Sequence, residues 1–481
     1  MQGRGMPGSI ALMLSKTGGP PFHGSVGYVN DAIGPIMARN GWRVRTFAPP
    51  RNDLGEEAMV PLALSAQLAA LDGAAAPDVA FFDAAGMAVR TPSRGWARRN
   101  VVLYHGLAYG TGAWMTSPDI DLHCANSPYL ERTLGAIFAF PNWQQRRCLN
   151  PHALRALTRI ALPVPCVESP DGHPGFGYGA DLPPYIQRKL GDDVVWGHAL
   201  QPGKQDWFAT LSVMFWLNEL RTSPDAKRIK LLVSESSLTP DTRRALDAML
   251  APAGRNCDDY FLSVPLLNQR TLFQLMRRCR FALAYNRFPE PFGFYVLESV
   301  HNRCPVYTNG VGNNRFLLPP EHGIHVLETP AMTPAADGRQ DAEAYRGVAE
   351  RILADLGRSD AMAAQCQRGA ALIDQQWSLA AFEQSLLAAL DRLDRPLPPE
   401  PDFEALQVQL SPLVRHVDWD TGRCLNDYAS TTLRSQALAA ARALVGRRCA
   451  ELASDEMERI ESTHRLFAGG LLTLAPATPA P

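Results

Sequence analysis

Two glutamates, Glu290 and Glu298, stand in the most chemically informative stretch of the chain, Phe281 to Leu317 (FALAYNRFPEPFGFYVLESVHNRCPVYTNGVGNNRFL). The apolar run Phe281–Tyr285 reads as a strand, and RFPEPFG as the loop leaving its carboxyl end, which puts Glu290 at the end of a parallel strand. Gly293 lets the backbone approach a ligand closely, and a helix begins there. Free N–H groups at a helix N-terminus, with the macrodipole, suit an anion such as a diphosphate. Glu298 falls about two turns along, roughly on the same side as Glu290. An ionised carboxylate only accepts hydrogen bonds, so two of them facing a cleft suit a hydroxyl-rich ligand, a ribose or a hexose.

Such a constellation needs a sheet to carry it. Short β-rich runs alternate with helical stretches throughout, the pattern of parallel α/β sheets. In the first half, strands are expected at Ile10–Leu14, Arg43–Phe47, Val79–Phe82, Val101–Tyr104, Leu122–Ala125 and Arg159–Leu162. Helices are expected at Val26–Arg39, Pro128–Ala136 and Trp143–Leu157. The Gly/Pro-rich stretch Ser169–Pro184 cannot lie inside a regular element and reads as a linker.

The alternation resumes beyond it. Strands are expected at Val194–Gly197, Ile229–Ser234, Tyr260–Val264, Phe281–Tyr285, Val306–Thr308 and Ile324–Leu327. Helices are expected at Asp206–Leu220, Thr239–Leu250, Gln269–Arg278 and Gly293–Arg303, with amphipathic Ala342–Leu356 and Leu379–Leu393 closing the domain. The reading is therefore an α/β chain of three parts. They are a first α/β domain over 1–185, a second over 186–393, and an extension over 394–481 beginning with the stiff DRPLPPEP. Residues 402–470 of the extension read as helical, with Ala- and Arg-rich turns around Thr432–Ala453, and the last residues as a frayed tail. A cleft between the two domains is the default ligand site.

Composition narrows the classes. A net charge of −1 gives no overall basic excess for holding long nucleic acid. The nine cysteines are odd in number, widely spaced and without a CxxC, which disfavours structural zinc and fits reduced thiols in the cytoplasm. Ile10–Leu14 is too short for a signal-peptide core, and no run approaches the roughly 20 apolar residues of a membrane span. Membrane contact, if any, is peripheral. Arg94, Arg98, Arg99, Arg146, Arg147, Arg155 and Arg159 give the first domain a basic face, for an anionic lipid, an acidic acceptor or simply solvent.

The segment Glu290-Pro-Phe-Gly…Glu298 resembles the Glu-x7-Glu motif of the retaining GT-B glycosyltransferases of the family-4, group-1 type. LESVHNRCPVYTNGVGNNRFL is similar to that family's LEAMACGTPVVATDVGGNREL in order and spacing, and the likeness covers about 190–393 well and the first half more loosely. It implies a GT-B architecture, two Rossmann-like domains facing a central cleft, with the acceptor side on 1–185 and the nucleotide-sugar donor held chiefly by 186–393. It also implies retaining transfer of a hexose from a nucleotide-diphosphate sugar, with no metal and no other cofactor. Glu290 would contact the donor hexose, Glu298 the nucleotide ribose, and the backbone of Phe292, Gly293 and Phe294 the phosphates.

The same resemblance implies an Arg and a Lys on the first βα loop of the second domain, to neutralise the departing diphosphate. Lys204 stands where the Lys is expected. His198 stands in place of the Arg, a departure, since His is only partly charged near neutrality and offers no bidentate fork; Arg287 is a candidate substitute. In the first domain, Gly24 and Gly27 of KTGGPPFHGSVGYVND would let a loop approach the phosphates, with His23 incidental. His105 matches a family position at a cleft-facing strand end, and Asn126 and Ser127 a cleft-facing segment. Trp114, Tyr109 and Asp119 follow His105 and serve either an acceptor or the core. The acceptor is left open among a saccharide, a lipid-linked saccharide, a natural product and a protein, and so is the oligomeric state. The competing reading is a non-catalytic GT-B-like partner subunit that recognises a protein substrate, which the His198 departure and the long extension favour.

Overall fold

The computed structural model describes residues 8–14, 25–47, 76–83, 94–106, 111–144, 157–168, 182, 184–201, 203–223, 225–265, 267–327, 342–396, 399, 402–427, 430–432, 435–452, 466 and 471–476. Two six-stranded parallel sheets form the frame. The first runs in the order β2-β1-β3-β4-β5-β6. Its strands are β1 (Ser9–Met13), β2 (Arg43–Phe47), β3 (Val79–Phe82), β4 (Arg99–Tyr104), β5 (Leu122–Ala125) and β6 (Thr158–Arg159). The second runs β12-β11-β10-β7-β8-β9. Its strands are β7 (Val194–Ala199), β8 (Arg228–Ser234), β9 (Phe261–Val264), β10 (Phe281–Ala284), β11 (Val306–Thr308) and β12 (Ile324–Val326).

Each strand lies where its apolar run predicts, with ends moved by a residue or two, or by three at the end of β6. The central strands are buried along nearly their whole length, as parallel strands covered on both faces must be. Phe81, Val101, Leu103 and Ile33 pack on one side of the first sheet, and Ala80, Phe82, Val102 and Trp114 on the other. Trp114 thus belongs to the core, edge-on to Phe82 at 5.7 Å, and not to an acceptor loop.

Among the described residues helices follow the expected pattern, apart from short added ones such as Thr111–Thr116 and Cys257–Tyr260 and the differences that follow. Helix Pro128–Gln144 runs on past Ala136 and takes in Trp143, so no new helix starts there, and 145–156 lie outside the described residues. Gly27 lies inside helix Ser25–Arg39, not in a loop. Ser359–Gln376 is a further helix between the two amphipathic ones. The expected linker Ser169–Pro184 lies outside the described residues from 169 to 181, and its last residue, Pro184, opens a short helix, Pro184–Lys189.

The two domains are stitched behind the cleft. Helix Leu379–Leu390 reaches the first domain, where Glu383 pairs with Arg39 and accepts from Asn40 Nδ2 at 2.6 Å. Ser385 Oγ accepts from the Ala161 N–H at 3.0 Å, and Trp377 O from the Val164 N–H at 2.8 Å.

The extension corrects the sequence expectation. It is not helical throughout but a small β-rich module, with β13 (Leu406–Leu410) antiparallel to β17 (Leu472–Pro476). A second sheet is made by β14 (Val414–Val417), β15 (Arg423–Asn426) and β16 (Ser430–Thr432). Among the described residues, helix Ser435–Leu444 covers a core of Val408, Cys424, Leu444 and Leu472.

Candidate functional site

The second sheet changes direction between β7 and β10: β8 and β9 lie to one side of β7, and β11 and β12 to the other side of β10. In open α/β sheets the crevice outside the carboxyl ends at such a point is where ligands bind. The loop leaving β7 carries Gln201 and Lys204, and the loop leaving β10 carries Glu290. They meet: Glu290 Oε2 accepts from Gln201 Nε2 at 2.8 Å and from Lys204 Nζ at 2.7 Å. Glu290 is only 5% exposed, while the Lys204 side chain is half-exposed.

Backbone contacts fix this glutamate on its other side. The Glu290 N–H donates to Val311 O at 3.3 Å, and the Asn313 N–H donates to Glu290 O at 2.7 Å. The close approach requires glycine at 312. Its φ is +70°, and a Cβ there would lie 2.3 Å from Glu290 N.

The helix Phe294–His301 starts as expected, at Gly293 with φ +113°. Phe292 is buried against Phe294 and Trp377, so its ring is a packing group and only its backbone is available at the helix N-terminus. Glu298 is 7% exposed on this helix, and burial pushes its carboxyl up to about 8. Glu290 lies ahead of the helix, in an extended pairing with Gly312, so the two glutamates do not share a helix face.

His198 departs from the expected role. It lies in the interior of the second domain, fully buried, with Tyr295 edge-on at 5.5 Å. Tyr295 Oη lies 3.0 Å from His198 Nδ1 and donates to His198 O at 3.1 Å, pinning the helix to β7. Burial lowers the imidazole to about 3, so it is neutral and supplies no positive charge to a diphosphate. Arg287 remains on the β10 loop, its guanidinium 4.7 Å over the ring of Phe288, which is 53% exposed. The Arg287 N–H donates to Lys204 O at 3.0 Å, so both cations sit on adjoining loops.

The first domain supplies the facing wall. His105 follows β4 and Asn126 follows β5, and Asn126 Nδ2 donates to His105 O at 3.1 Å. Burial lowers the His105 imidazole, with the nearby Asp83 carboxylate acting the other way. Ser127 Oγ donates to Pro291 O at 2.5 Å, and a Cβ on Gly106 would stand 3.2 Å from Pro291 Cγ. His105, Asn126 and Glu290 are therefore brought to one seam. Gly24, His23 and Tyr109 lie outside the described residues.

Polar atoms around this seam are buried without partners among the described residues: His105 Nε2, Asn126 Oδ1, Gln201 Oε1, Asn286 Nδ2, Asn313 Oδ1 and both ends of the Asn314 amide. Gln201, Asn286 and Asn314 escape sequence reasoning, because an amide in a loop carries no signature until the fold gives it a partner, as it gives Gln201 Glu290. The basic face is largely ion-paired. Arg94 and Arg99 meet Asp121, Arg98 meets Asp78 and Arg159 meets Glu131; 146, 147 and 155 lie outside the described residues. Asp119 pairs with Arg94 at 3.7 Å. The described cysteines are buried. Among the described residues no helix is long and apolar enough to cross a membrane.

No protein-family model and no curated protein sequence matches the chain. Solved structures do. A glycosyltransferase from Rickettsia africae superposes with a TM-score of 0.55 at 12% identity, over 81% of this chain and 100% of that one. Sucrose-phosphate synthase from Thermosynechococcus elongatus gives 0.51 at 15% identity, over 80% of this chain and 98% of that one. The chain has the GT-B fold of glycosyltransferases, two parallel α/β domains with facing carboxyl ends.

Proposed function

We propose that the protein transfers a hexose from a nucleotide-diphosphate sugar to an acceptor hydroxyl, with retention at the anomeric carbon and without a metal. One observation carries the reading: Glu290, paired with Gln201 and Lys204, lies at the switch point of the second sheet amid buried, unpartnered polar atoms from both domains. Buried polar groups are normally satisfied, so such a set supports a polar, hydroxyl-rich ligand bridging the seam.

In this reading the diphosphate lies at the N-terminus of helix Phe294–His301, with Lys204 and Arg287 supplying positive charge as the bond from the anomeric carbon to the phosphate oxygen breaks. The acceptor oxygen takes that place on the sugar, and its proton passes to the departing diphosphate. Glu290 holds the hexose, Glu298 the ribose hydroxyls, and His105 and Asn126 the acceptor side. Buried thiols without a CxxC pattern support a reducing, cytoplasmic setting. A panel of nucleotide sugars tests this by thermal shift and by turnover with wild type and Glu290→Ala. Turnover by wild type and its loss in the variant are expected; equal rates in both sink the catalytic reading.

The second reading, a non-catalytic partner subunit recognising a protein, draws on the neutral imidazole at 198. It predicts neither a thermal shift nor turnover with any donor.

A further inference from the structure

The C-terminal module meets the candidate site through one turn. After β11 the chain runs through Asn309–Asn314, whose Val311 and Asn313 bond the backbone of Glu290 on one side. The absence of room for a Cβ at Gly312 leaves this turn no slack against Glu290. Its other side is gripped by the module. Arg415, on β14, donates to Asn309 O at 2.5 Å. Arg315 ends the turn and donates to Gly310 O at 3.2 Å, to Pro412 O at 3.0 Å and to Asp427 Oδ1 at 2.7 Å. The same guanidinium lies 5.6 Å over Tyr129 of the first domain and 4.8 Å over Phe316. One side chain thus touches all three parts of the protein.

The Arg315 side chain is 15% exposed and that of Asp427 is wholly buried, its Oδ2 without a partner among the described residues. A buried pair with an unsatisfied oxygen contributes poorly to stability compared with an apolar replacement. Its value lies in directional grip: five guanidinium donors in a fixed plane set where the turn goes.

We propose that the C-terminal module is a positioning element for the donor site. Asp427 and Arg415 hold the Gly310–Arg315 turn, and the turn's backbone holds Glu290 in the geometry that receives the nucleotide sugar. Arg315 and Asp427 are positioning residues acting through Glu290. This rests on the donor-site reading above.

The test uses full-length Asp427→Asn and Arg315→Lys, with Arg415→Gln as a third variant should either fail to fold. Arg442→Ala, an exposed change elsewhere in the module, is the control. Hydrogen exchange of the amides of 309–316 is read without ligand, and KM and kcat for the donor separately. Exchange of the turn and the donor KM are each expected to rise about tenfold in Asp427→Asn, with kcat less affected and Arg442→Ala unchanged. Unchanged exchange in the folded variants overturns the proposal, and so does faster exchange with an unchanged KM. A loosened turn in a wild type that neither binds nor turns over any donor overturns the donor reading instead.

Discussion

Lys204 Nζ stands 2.7 Å from Glu290 Oε2, although the two residues belong to loops leaving different strands, β7 and β10. The Lys204 side chain is half-exposed, so the pair contributes about 1 kcal/mol or less to stability. Its importance is electrostatic and local. Glu290→Gln is therefore expected to melt within a few degrees of wild type while donor turnover drops about 100-fold or more. Lys204→Ala is expected to lose turnover on a similar scale. Melting curves alongside turnover check both; a Glu290→Gln enzyme as fast as wild type removes this residue from the chemistry.

Gly312→Ala probes the backbone that shapes the same glutamate. The new Cβ would meet Glu290 N at 2.3 Å and Glu290 O at 2.5 Å, and neither can swing away as a side chain can. The φ of +70° adds strain for any L side chain. The expected cost is about 2–4 kcal/mol, read by denaturant unfolding. A variant of unchanged stability contradicts the tight pairing of Glu290 with this turn.

Glu298 and His198 bend the pH dependence of stability in opposite directions. Glu298 is raised to about 8, so between its unfolded value near 4.5 and 8 the native state holds a proton the unfolded state has released. Its burial therefore costs stability as pH rises through that window, and Glu298→Gln should gain on wild type over the same range. His198 is lowered to about 3, so the unfolded state binds the extra proton below about 6.5 and stability is lost as pH falls from there. Replacing it by Gln should flatten the acid side. His198→Arg, the change the family likeness invites, buries a charge without a partner and should destabilise by about 3 kcal/mol or more without raising turnover. Melting temperatures from pH 4 to 9 decide all three.

Much of this site was legible beforehand because β-rich apolar runs name parallel strands, and loops at their carboxyl ends name a cleft. Glu290, Gly293 and Lys204 could be placed that way. His198 could not, since whether a strand residue faces the cleft or the space beneath a helix depends on Tyr295, far along the chain, closing over it. The extension was misread because the Ala/Arg-rich run near Ser435–Leu444 dominates its composition. The signal for strand was present in Leu-Gln-Val-Gln-Leu at 406–410, which alternates apolar and polar residues strictly. Gln201 and Asp427 had no local signal at all. Each matters only through a partner, Glu290 and Arg315, more than 80 residues away in sequence.

The seam between the domains offers the last test. Gly106 faces Pro291, where even a Cβ would come within 3.2 Å of Cγ, tighter than ordinary contact. Ser127 bonds Pro291 O beside it, so the first domain rests directly on the residue that follows Glu290. Gly106→Val adds a Cβ and two methyl groups to that contact and wedges the walls apart by a fraction of an ångström or more. If the donor is held chiefly by the second domain and the acceptor side by His105 and Asn126, donor binding should survive while transfer suffers. The expected result is a donor-induced thermal shift close to wild type with kcat lowered about tenfold or more, since small misplacements of reacting groups are costly. Unchanged kcat would mean that the seam around Pro291 does not set the reacting geometry, and equal loss of binding and kcat would place the donor on both walls.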